Sequence, residues 1–280
     1  MAIRLSQYRI DGRNGDWMIR NHDAAQTGGV KNKQEGRKRL HALKEELIEL
    51  QRRLHAQEHY GLLLVLQAMD AGGKDGTVRH VMSGVNPQGC RISSFKAPSA
   101  VERNHDFLWR IHFSSPARGH IRIFNRSHYE DVVIARIHAD KLLPEWARRR
   151  KNLWHERFEQ IRNFERLLVQ NNILVVKCFL NISKEEQKRR LERRLADPAR
   201  NWKFDQADLD ERQHWDHYMR TYEDVFKQTT TKQAPWYIIP ADKKWYRNVV
   251  VAELLVQTLR KLKLAYPVAD PEKLQDIVID

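Results

Sequence analysis

Cysteine is scarce in this chain, and long apolar runs are missing. Only two of the 280 residues are cysteine, Cys90 and Cys178, and each lies beside an apolar run. Two such thiols exclude a disulfide framework and are typical of core residues in a reducing compartment. No stretch approaches the roughly 20 apolar residues of a spanning helix, and the first nine residues lack the apolar segment of a secretory signal. We therefore expect a soluble, cytoplasmic protein without a membrane partner.

Acidic residues are outnumbered by basic ones. The chain has 50 lysines and arginines against 36 aspartates and glutamates, which gives a formal charge of +14. This excess predicts a polyanionic or phosphate-rich partner, without indicating which. Nucleic acid is the default partner of a basic protein, but no RNA- or DNA-binding motif supports it here. The length allows one large domain or two small ones.

The clearest chemical signal lies between Gly61 and Arg79. An apolar run predicts a buried strand at Leu62 to Leu66, a glycine-rich turn follows, and a helix is predicted to begin at Thr77. Free backbone N–H groups, a helix N-terminus and a lysine together bind phosphate. We call residues 68–77 the phosphate cradle, and its predicted phosphate-binding residues are Gly72, Gly73, Lys74, Asp75, Gly76 and Thr77. The alternative is an ordinary glycine turn with a surface lysine, against which the flanking strand and helix argue.

The cradle departs from the usual G-x-x-x-x-G-K-[ST] pattern at two positions. Ala68 replaces the first glycine, and Asp75 replaces the hydroxyl that binds magnesium. Asp70 also lies inside the loop, where its charge would repel phosphate unless a cation lay between them. Asp70 is therefore predicted to bind Mg²⁺, directly or through water.

Strands and helices alternate along the rest of the chain. Five apolar strands, at about 62–66, 90–95, 120–124, 173–180 and 236–239, predict a parallel sheet. The predicted fold is α/β, a P-loop kinase-like three-layer sandwich whose five-stranded parallel sheet is covered by helices on both faces. We interpret residues 1–30 as an N-terminal arm of uncertain structure and residues 31–280 as a single domain. A helical lid is predicted at about 183–207.

Several long helices are predicted between these strands. In the helix from about Asn32 to Glu58, leucines recur every three or four residues, either to pack against its own domain or to form a dimer seam. Further long helices are predicted at about 145–171, 208–228 and 248–264. Aromatic residues at helical spacing in the 208–228 segment are interpreted as core.

A second acidic group is expected at the end of the third strand. Asn125 at that position is neutral, so the metal ligand is predicted to be Asp131, or else Glu130. Arg126 at the same edge suits a bidentate clamp on phosphate. Asp131 could instead be a charge that interacts with a helix dipole. His128 is interpreted as structural, because transfer between phosphates requires no proton abstraction.

An arginine row follows the fourth strand. Gln187, Arg190 and Arg194 share one face of a helix that a capping box opens at Ser183. This face is either simply solvated or the part of a lid that closes over the transferring phosphate, and its position favours the lid. Lys203 continues the basic surface. The run at 148–151 is either solvated or a polyanion track, and the sequence does not separate the two.

These segments together resemble the polyphosphate kinase 2 family, and most closely its class III subgroup. The matching motifs read LQAMDAGGKDGT at 66–77, GVNPQG at 84–89 and FNRSHYED at 124–131. Three more follow, which are ISKEEQ at 182–187, NWKF at 201–204 and APWYIIPADKKWYRN at 234–248. The matches keep the family's order from about residue 35 to 264. Asn125 is a departure, because other subgroups have an acidic residue there.

The resemblance implies Mg²⁺-dependent, reversible transfer of the terminal phosphate of inorganic polyphosphate to AMP, ADP or both, forming ADP and ATP. It implies that Asp70 and Asp131 place Mg²⁺, with Mn²⁺ as an alternative, and that Lys74 and Arg126 hold the transferring phosphates. It also implies that Arg190 and Arg194 are the lid arginines. The implied nucleotide-binding residues are Asn86, Pro98, Glu130, Asp242 and Lys243.

The resemblance also implies a homodimer or homotetramer, and guanine nucleotides are further candidate substrates. Two other functions stay open on the sequence. One is an ATP-dependent nucleoside monophosphate kinase, and the other is a basic nucleic-acid-binding protein.

Overall fold

Five strands form one all-parallel sheet in this protein, whose structure, a computed structural model, describes residues 3–12 and 15–270. The strands are β1 (Gly61–Gln67), β2 (Cys90–Ser94), β3 (Ile121–Asn125), β4 (Ile173–Asn181) and β5 (Trp236–Pro240). They lie in the order β2-β3-β1-β4-β5. Every residue of β1 is buried, because β1 is the central strand. The predicted fold class and its five strands are confirmed.

The helices lie on both sides of this sheet. They are α1 (Lys33–Gln57), α2 (Lys74–Val81), α3 (Ala100–Arg103), α4 (Trp109–Phe113), α5 (Ile134–Ile137), α6 (Ala139–Leu142), α7 (Glu145–Arg148), α8 (Leu153–Gln170), α9 (Lys184–Ala196), α10 (Gln206–Gln213), α11 (Trp215–Thr229) and α12 (Lys244–Arg260). α1, α2 and α12 pack together, while α8 packs against α11 and β4. Because crossovers between parallel strands are almost always right-handed, this strand order puts these two groups on opposite faces of the sheet. Within the described residues, no helix combines the length and hydropathy that crossing a bilayer requires.

The strand order determines where a ligand can bind. From β1 the chain crosses to β2 at one edge, whereas from β4 it continues to β5 at the other edge. Loops that leave neighbouring strands in opposite directions open a crevice beyond the carboxyl ends of those strands. The phosphate cradle follows β1 directly, so it lies at this crevice.

The leucine stripe of α1 faces its own domain. Leu43, Leu47, Leu50 and Leu54 are buried, and α1 packs against α12. Of the two interpretations of this stripe, the structure supports packing within the domain. The aromatics of α11 are likewise core, since Trp215, Tyr222 and Phe226 are all buried.

The first thirty residues pack on the sheet where they are described. Tyr8 and Ile10 are fully buried, and Arg9 forms an antiparallel bridge with Tyr237 on the outer side of β5. This contact covers an edge that would otherwise expose unpaired backbone groups. The division into an arm at 1–30 and a domain at 31–280 stays an interpretation, and its residues 1–2, 13–14 and 271–280 lie outside the described ranges.

Two long predicted helices are each broken in the structure. The segment predicted as one helix at about 145–171 forms α7 and α8, and the break lets Ala147 and Leu153 meet in a small apolar cluster of their own. The segment at about 208–228 forms α10 and α11, with a non-helical residue, His214, between them. Periodicity did not reveal either break, because the apolar spacing continues across both.

Candidate active site

A cavity of about 980 Å³ opens at the carboxyl ends of β1 and β3. The cradle forms its floor, and α9 and the N-terminal turns of α1 and α12 form its walls. Lysine and arginine outnumber aspartate by roughly three to one among its lining residues. Much of the excess positive charge that the sequence shows is therefore concentrated around one cavity that suits a polyanion.

The cradle has the backbone geometry of an anion-binding turn. Gly73 has φ +101° and precedes α2, which begins at Lys74 and not at Thr77 as predicted. The early start follows from the Thr77 backbone N–H and hydroxyl, which both donate to the Gly73 carbonyl. Gly72, Gly73, Asp75 and Gly76 line the cavity. Thr77 is buried and does not, so its hydroxyl shapes the turn without facing the cavity.

Lys74, Asp70 and Arg126 come together above this turn. The Lys74 Nζ donates to the Ala68 carbonyl at 2.8 Å, and the Arg126 Nη2 donates to the Asp70 Oδ1 at 3.3 Å. Burial lowers the pKa of Lys74, and the nearby Asp70 carboxylate opposes that shift. Arg126 has φ +68°, a left-handed conformation that costs energy outside glycine and is often found at functional sites. The structure thus gathers three of the predicted site residues.

Glu130 and Asp131 are adjacent in sequence but face different surroundings. The Glu130 carboxyl lies within electrostatic reach of Lys74, Arg126 and Asp70, and burial raises its pKa. Neither residue is among the described residues that line the cavity, and the Asp131 Oδ2 lies 3.9 Å from the Arg110 Nη2. Burial raises the pKa of Asp131 to about 6, although nearby arginines oppose the shift. The structure therefore brings Glu130 to the cradle and leaves Asp131 outside it.

Asn125 and Asp75, the two unusual polar residues of the motifs, are hydrogen-bonded to each other. The Asn125 Nδ2 donates to the Asp75 Oδ1 at 2.7 Å, and both residues line the cavity. The Asn125 Oδ1 is buried and has no hydrogen-bond partner among the residues that the structure describes. An unpaired buried oxygen at this edge is available to a donor or a cation.

The predicted lid arginines occupy two different environments. Arg190 is buried and donates to the carbonyls of Ala71 and Gly72, so it fastens α9 to the cradle. Arg194 lines the cavity, where its Nη1 lies 2.7 Å from the Asp208 Oδ2. Lys203 also lines the cavity, with its Nζ over the Trp202 ring. The arginine row is therefore part of the cavity wall and not a solvated face.

None of the five predicted nucleotide-binding residues is among the described residues that line the cavity. Asn86 caps a short turn after α2, and Pro98 follows the lining residues Lys96 and Ala97. The Asp242 carboxylate accepts hydrogen bonds from the backbone N–H and hydroxyl of Ser183. Lys243 is the residue that precedes α12. Ala97, which precedes Pro98, and Lys244, which follows Lys243, line the cavity instead.

His128 is fully buried beneath the strand end and does not face the cavity. Its Nε2 lies 3.5 Å from the Glu165 Oε1, and burial lowers its pKa. Glu165 also pairs with the buried Lys177, whose Nζ lies 2.7 Å from the Glu165 Oε2. These contacts agree with the structural interpretation of His128.

Sequence reasoning missed several basic residues of the cavity. Lys33 and Arg37 on α1, Lys244 and Arg247 on α12, and Arg193 on α9 all line it. The motif at 234–248 contained two of them without indicating a role. Nothing in the pattern of α1 distinguishes its two basic residues from an ordinary charged surface.

Comparison with known families identifies the chain. A model of "Polyphosphate kinase 2 (PPK2)" matches residues 30–266, which is most of the sequence. The chain belongs to the polyphosphate kinase 2 family. Members of this family are phosphotransferases, and they generally depend on a divalent metal.

Relatives within the polyphosphate kinase 2 family cover nearly the whole chain. The ADP-polyphosphate phosphotransferase of Rhodopseudomonas palustris is 46% identical over 84% of this chain and 82% of its own length. The AMP/ADP-polyphosphate phosphotransferase of Meiothermus ruber is 42% identical over 98% of this chain and 99% of its own. The crystal structure of polyphosphate kinase 2 from Arthrobacter aurescens matches with a TM-score of 0.88 and 41% identity, covering 94% of this chain and 91% of the other.

Proposed function

We propose that this enzyme transfers the terminal phosphate of inorganic polyphosphate to ADP and AMP, forming ATP and ADP, and that it also catalyses the reverse reactions. The observation that carries the proposal is the shared cavity of the phosphate cradle, Arg126 and the basic wall of α9 and α12. The names of the relatives support these substrates. The likeness to class III supports the use of both acceptors.

The residues of the cavity suit in-line phosphoryl transfer. Such a transfer requires the phosphates to be positioned and the charge of the transferring group to be neutralised. Lys74 and the backbone N–H groups of the cradle bind the transferring phosphate, and Arg126 binds its oxygens as well. The acceptor oxygen of ADP or AMP is already anionic, so no side chain is needed as a general base. Arg194 on the lid adds positive charge when the cavity is filled.

An acidic residue of the cavity and one beside it fit Mg²⁺, with Mn²⁺ as an alternative. Magnesium is typically held by one or two carboxylates together with substrate phosphates and water. Asp70 and Glu130 supply such carboxylates beside Lys74, and the unpaired Asn125 Oδ1 is a further oxygen donor at the same edge. We therefore assign the metal-placing role to Asp70 and Glu130, in place of Asp70 and Asp131. The metal neutralises phosphate charge; the chain's own residues orient the phosphates.

A matrix of donors and acceptors tests the proposal. Polyphosphate or ATP is combined with AMP, ADP, GMP or GDP, with and without Mg²⁺, and the products are separated by chromatography. We expect ADP and ATP to form from polyphosphate without any added nucleoside triphosphate. If ATP serves as a phosphate donor and polyphosphate does not, the result would instead support a nucleoside monophosphate kinase. The guanine acceptors test whether the purine preference is strict.

The nucleic-acid alternative and the assembly state require separate tests. Base-dependent binding of RNA or DNA that is tighter than binding of polyphosphate would favour a nucleic-acid-binding protein. Light scattering would check the expected homodimer or homotetramer. A cytoplasmic location stays an expectation; Cys90 and Cys178 are free thiols in the structure.

A further inference from the structure

A buried arginine lies directly beneath the phosphate cradle. Arg247, in the first turns of α12, is only 1% exposed, and its guanidinium packs against the Gly72–Gly73 turn. A Cβ atom at Gly73 would lie 1.9 Å from the Arg247 Nη1, so the guanidinium fills the space that a side chain would need. Glycine is thus required at position 73 for two reasons. Its backbone has a positive φ, and the Arg247 guanidinium leaves no room for a side chain.

Arg247 is held by neutral acceptors alone. Its Nη1 donates to the Gly72 carbonyl at 3.2 Å, and its Nη2 donates to the Asn248 Oδ1 at 2.9 Å. In the described part of the chain, no carboxylate forms an ion pair with it. Arg190 shares the Gly72 carbonyl but differs in that its Nε lies 2.9 Å from the Glu186 Oε1. Of these two buried arginines, only Arg190 has its charge compensated by a carboxylate.

The surroundings of Arg247 make its positive charge less favourable. Burial, and then the Arg190 charge, lower the pKa of Arg247 to about 9. The neighbouring Lys244 has its pKa lowered to about 8 by burial and by the charges of Arg190, Arg193 and Arg247. A buried cation without an anionic partner is unfavourable by itself. An anion bound in the cradle would remove that cost.

We propose that Arg247 is a positioning residue of the cradle, which fixes the Gly72–Gly73 turn and supplies a buried positive charge that is compensated when polyphosphate binds. The proposal rests on the proposed function, since the anion it requires is the phosphate chain. Binding of that anion to the folded protein alone stabilises the fold. Arg247 therefore links occupation of the cradle to the stability of the whole domain.

The test uses the full-length protein, with tripolyphosphate as the probe. The unfolding temperature is measured with and without it for the wild type, Arg247→Met, Arg247→Lys and Arg189→Met. The last is a matched control, because Arg189 pairs with Glu186 on the exposed side of α9 and does not line the cavity. The KM for polyphosphate, the KM for ADP and kcat are measured on the same proteins.

For Arg247→Met we expect less than about half of the wild-type thermal shift and a KM for polyphosphate at least about tenfold higher. Arg189→Met should keep the wild-type shift and both KM values. Arg247→Lys keeps the charge but cannot reach both acceptors, so it should retain the thermal shift while kcat falls at least about fivefold. If Arg247→Met does not fold, the thermal shift and kcat of Arg247→Lys are sufficient to test the proposal.

Two results would overturn the inference. The first is an Arg247→Met variant with the wild-type thermal shift and the wild-type KM for polyphosphate. The second is an Arg247→Lys variant that either loses the thermal shift or keeps the wild-type kcat. If the wild type itself makes no ATP from polyphosphate, the proposed function fails, whatever these variants do. If the wild type is active and the Arg247 variants behave like it, only the role of Arg247 fails.

Discussion

The Arg194 Nη1 lies 2.7 Å from the Asp208 Oδ2, so this arginine of the cavity is paired with a carboxylate of the neighbouring helix α10. Burial, and then the nearby Asp70 charge, raise the pKa of Asp208. Under the proposed function, a phosphate oxygen would compete with the Asp208 carboxylate for Arg194. For Arg194 to bind the transferring phosphate, it has to exchange this carboxylate for the substrate.

Removal of Arg194 should lower the rate without unfolding the protein. We expect Arg194→Ala to reduce kcat by at least about tenfold, because one charge at the transferring phosphate is lost, and to shift the unfolding temperature only slightly. Steady-state kinetics and thermal unfolding check both effects. An unchanged kcat would indicate that Arg194 forms only an ordinary ion pair with Asp208 and does not act in catalysis.

Asp208→Asn should act through Arg194. The variant frees the guanidinium for phosphate, so we expect the KM for polyphosphate to fall by about two- to fivefold at low salt. In an Arg194→Ala background the same substitution should leave that KM unchanged, which a double-mutant cycle measures. An equal effect in both backgrounds would show that Asp208 acts independently of Arg194.

Asp70 and Lys74 should each be needed for turnover. We expect Asp70→Asn and Lys74→Ala to lower kcat by at least about 100-fold, the typical effect of removing one preorganised charge. Near-normal turnover in either variant would remove that residue from the site. Circular dichroism spectra of the variants serve as the control for folding.

Glu130 and Asp131 form a matched pair that separates two assignments. Glu130→Gln should lower kcat by at least about 100-fold, since its carboxyl faces Lys74 and Asp70, and should raise the Mg²⁺ concentration needed for half-maximal rate. Asp131→Asn should change kcat by less than about fivefold, because Asp131 faces Arg110 and Arg157 outside the cavity. The opposite ranking of these two variants would restore the metal-placing role to Asp131.

Asp131 should also give stability a dependence on pH. Its pKa is raised in the folded state to about 6, so between about pH 4 and about pH 6 the folded protein binds more protons than the unfolded chain. The contribution of Asp131 to stability is therefore present at low pH and is lost as the pH rises through this window. Thermal unfolding should show the stability of Asp131→Asn rising relative to the wild type over that range. A constant difference would contradict the buried carboxyl.

Salt should weaken substrate binding in a selective way. Polyphosphate carries about one negative charge per unit, so its binding to the basic cavity should release counterions as nucleic-acid binding does. We expect log KM for polyphosphate to rise linearly with log salt concentration and the KM for AMP to rise less steeply. Equal salt slopes for both substrates would contradict an extended basic path for the donor.

The sequence was most informative where the signal is local. The cradle is a contiguous turn between a strand and a helix, and five apolar strands separated by helices indicate a parallel sheet, so both were predictable. Helix ends and breaks were less accurate, as at His214 and at the start of α2, because the hydrogen bonds and packing that decide them involve tertiary contacts. The resemblance of the motifs to the family indicated which substrates to expect, whereas the net charge indicated only a polyanionic partner.

The chain's sequence by itself determined the fold class, the position of the glycine turn that we call the phosphate cradle, and the family. Only the tertiary structure decided which acidic residue lies near Lys74 and Asp70, because Glu130 and Asp131 follow each other on a 3-10 turn and have different surroundings. It alone paired Arg194 with Asp208 on the next helix and placed Arg247 beneath Gly73, which is far from it along the chain. The physical reason is the same in each case, since burial and charge compensation depend on which distant segments fold against each other.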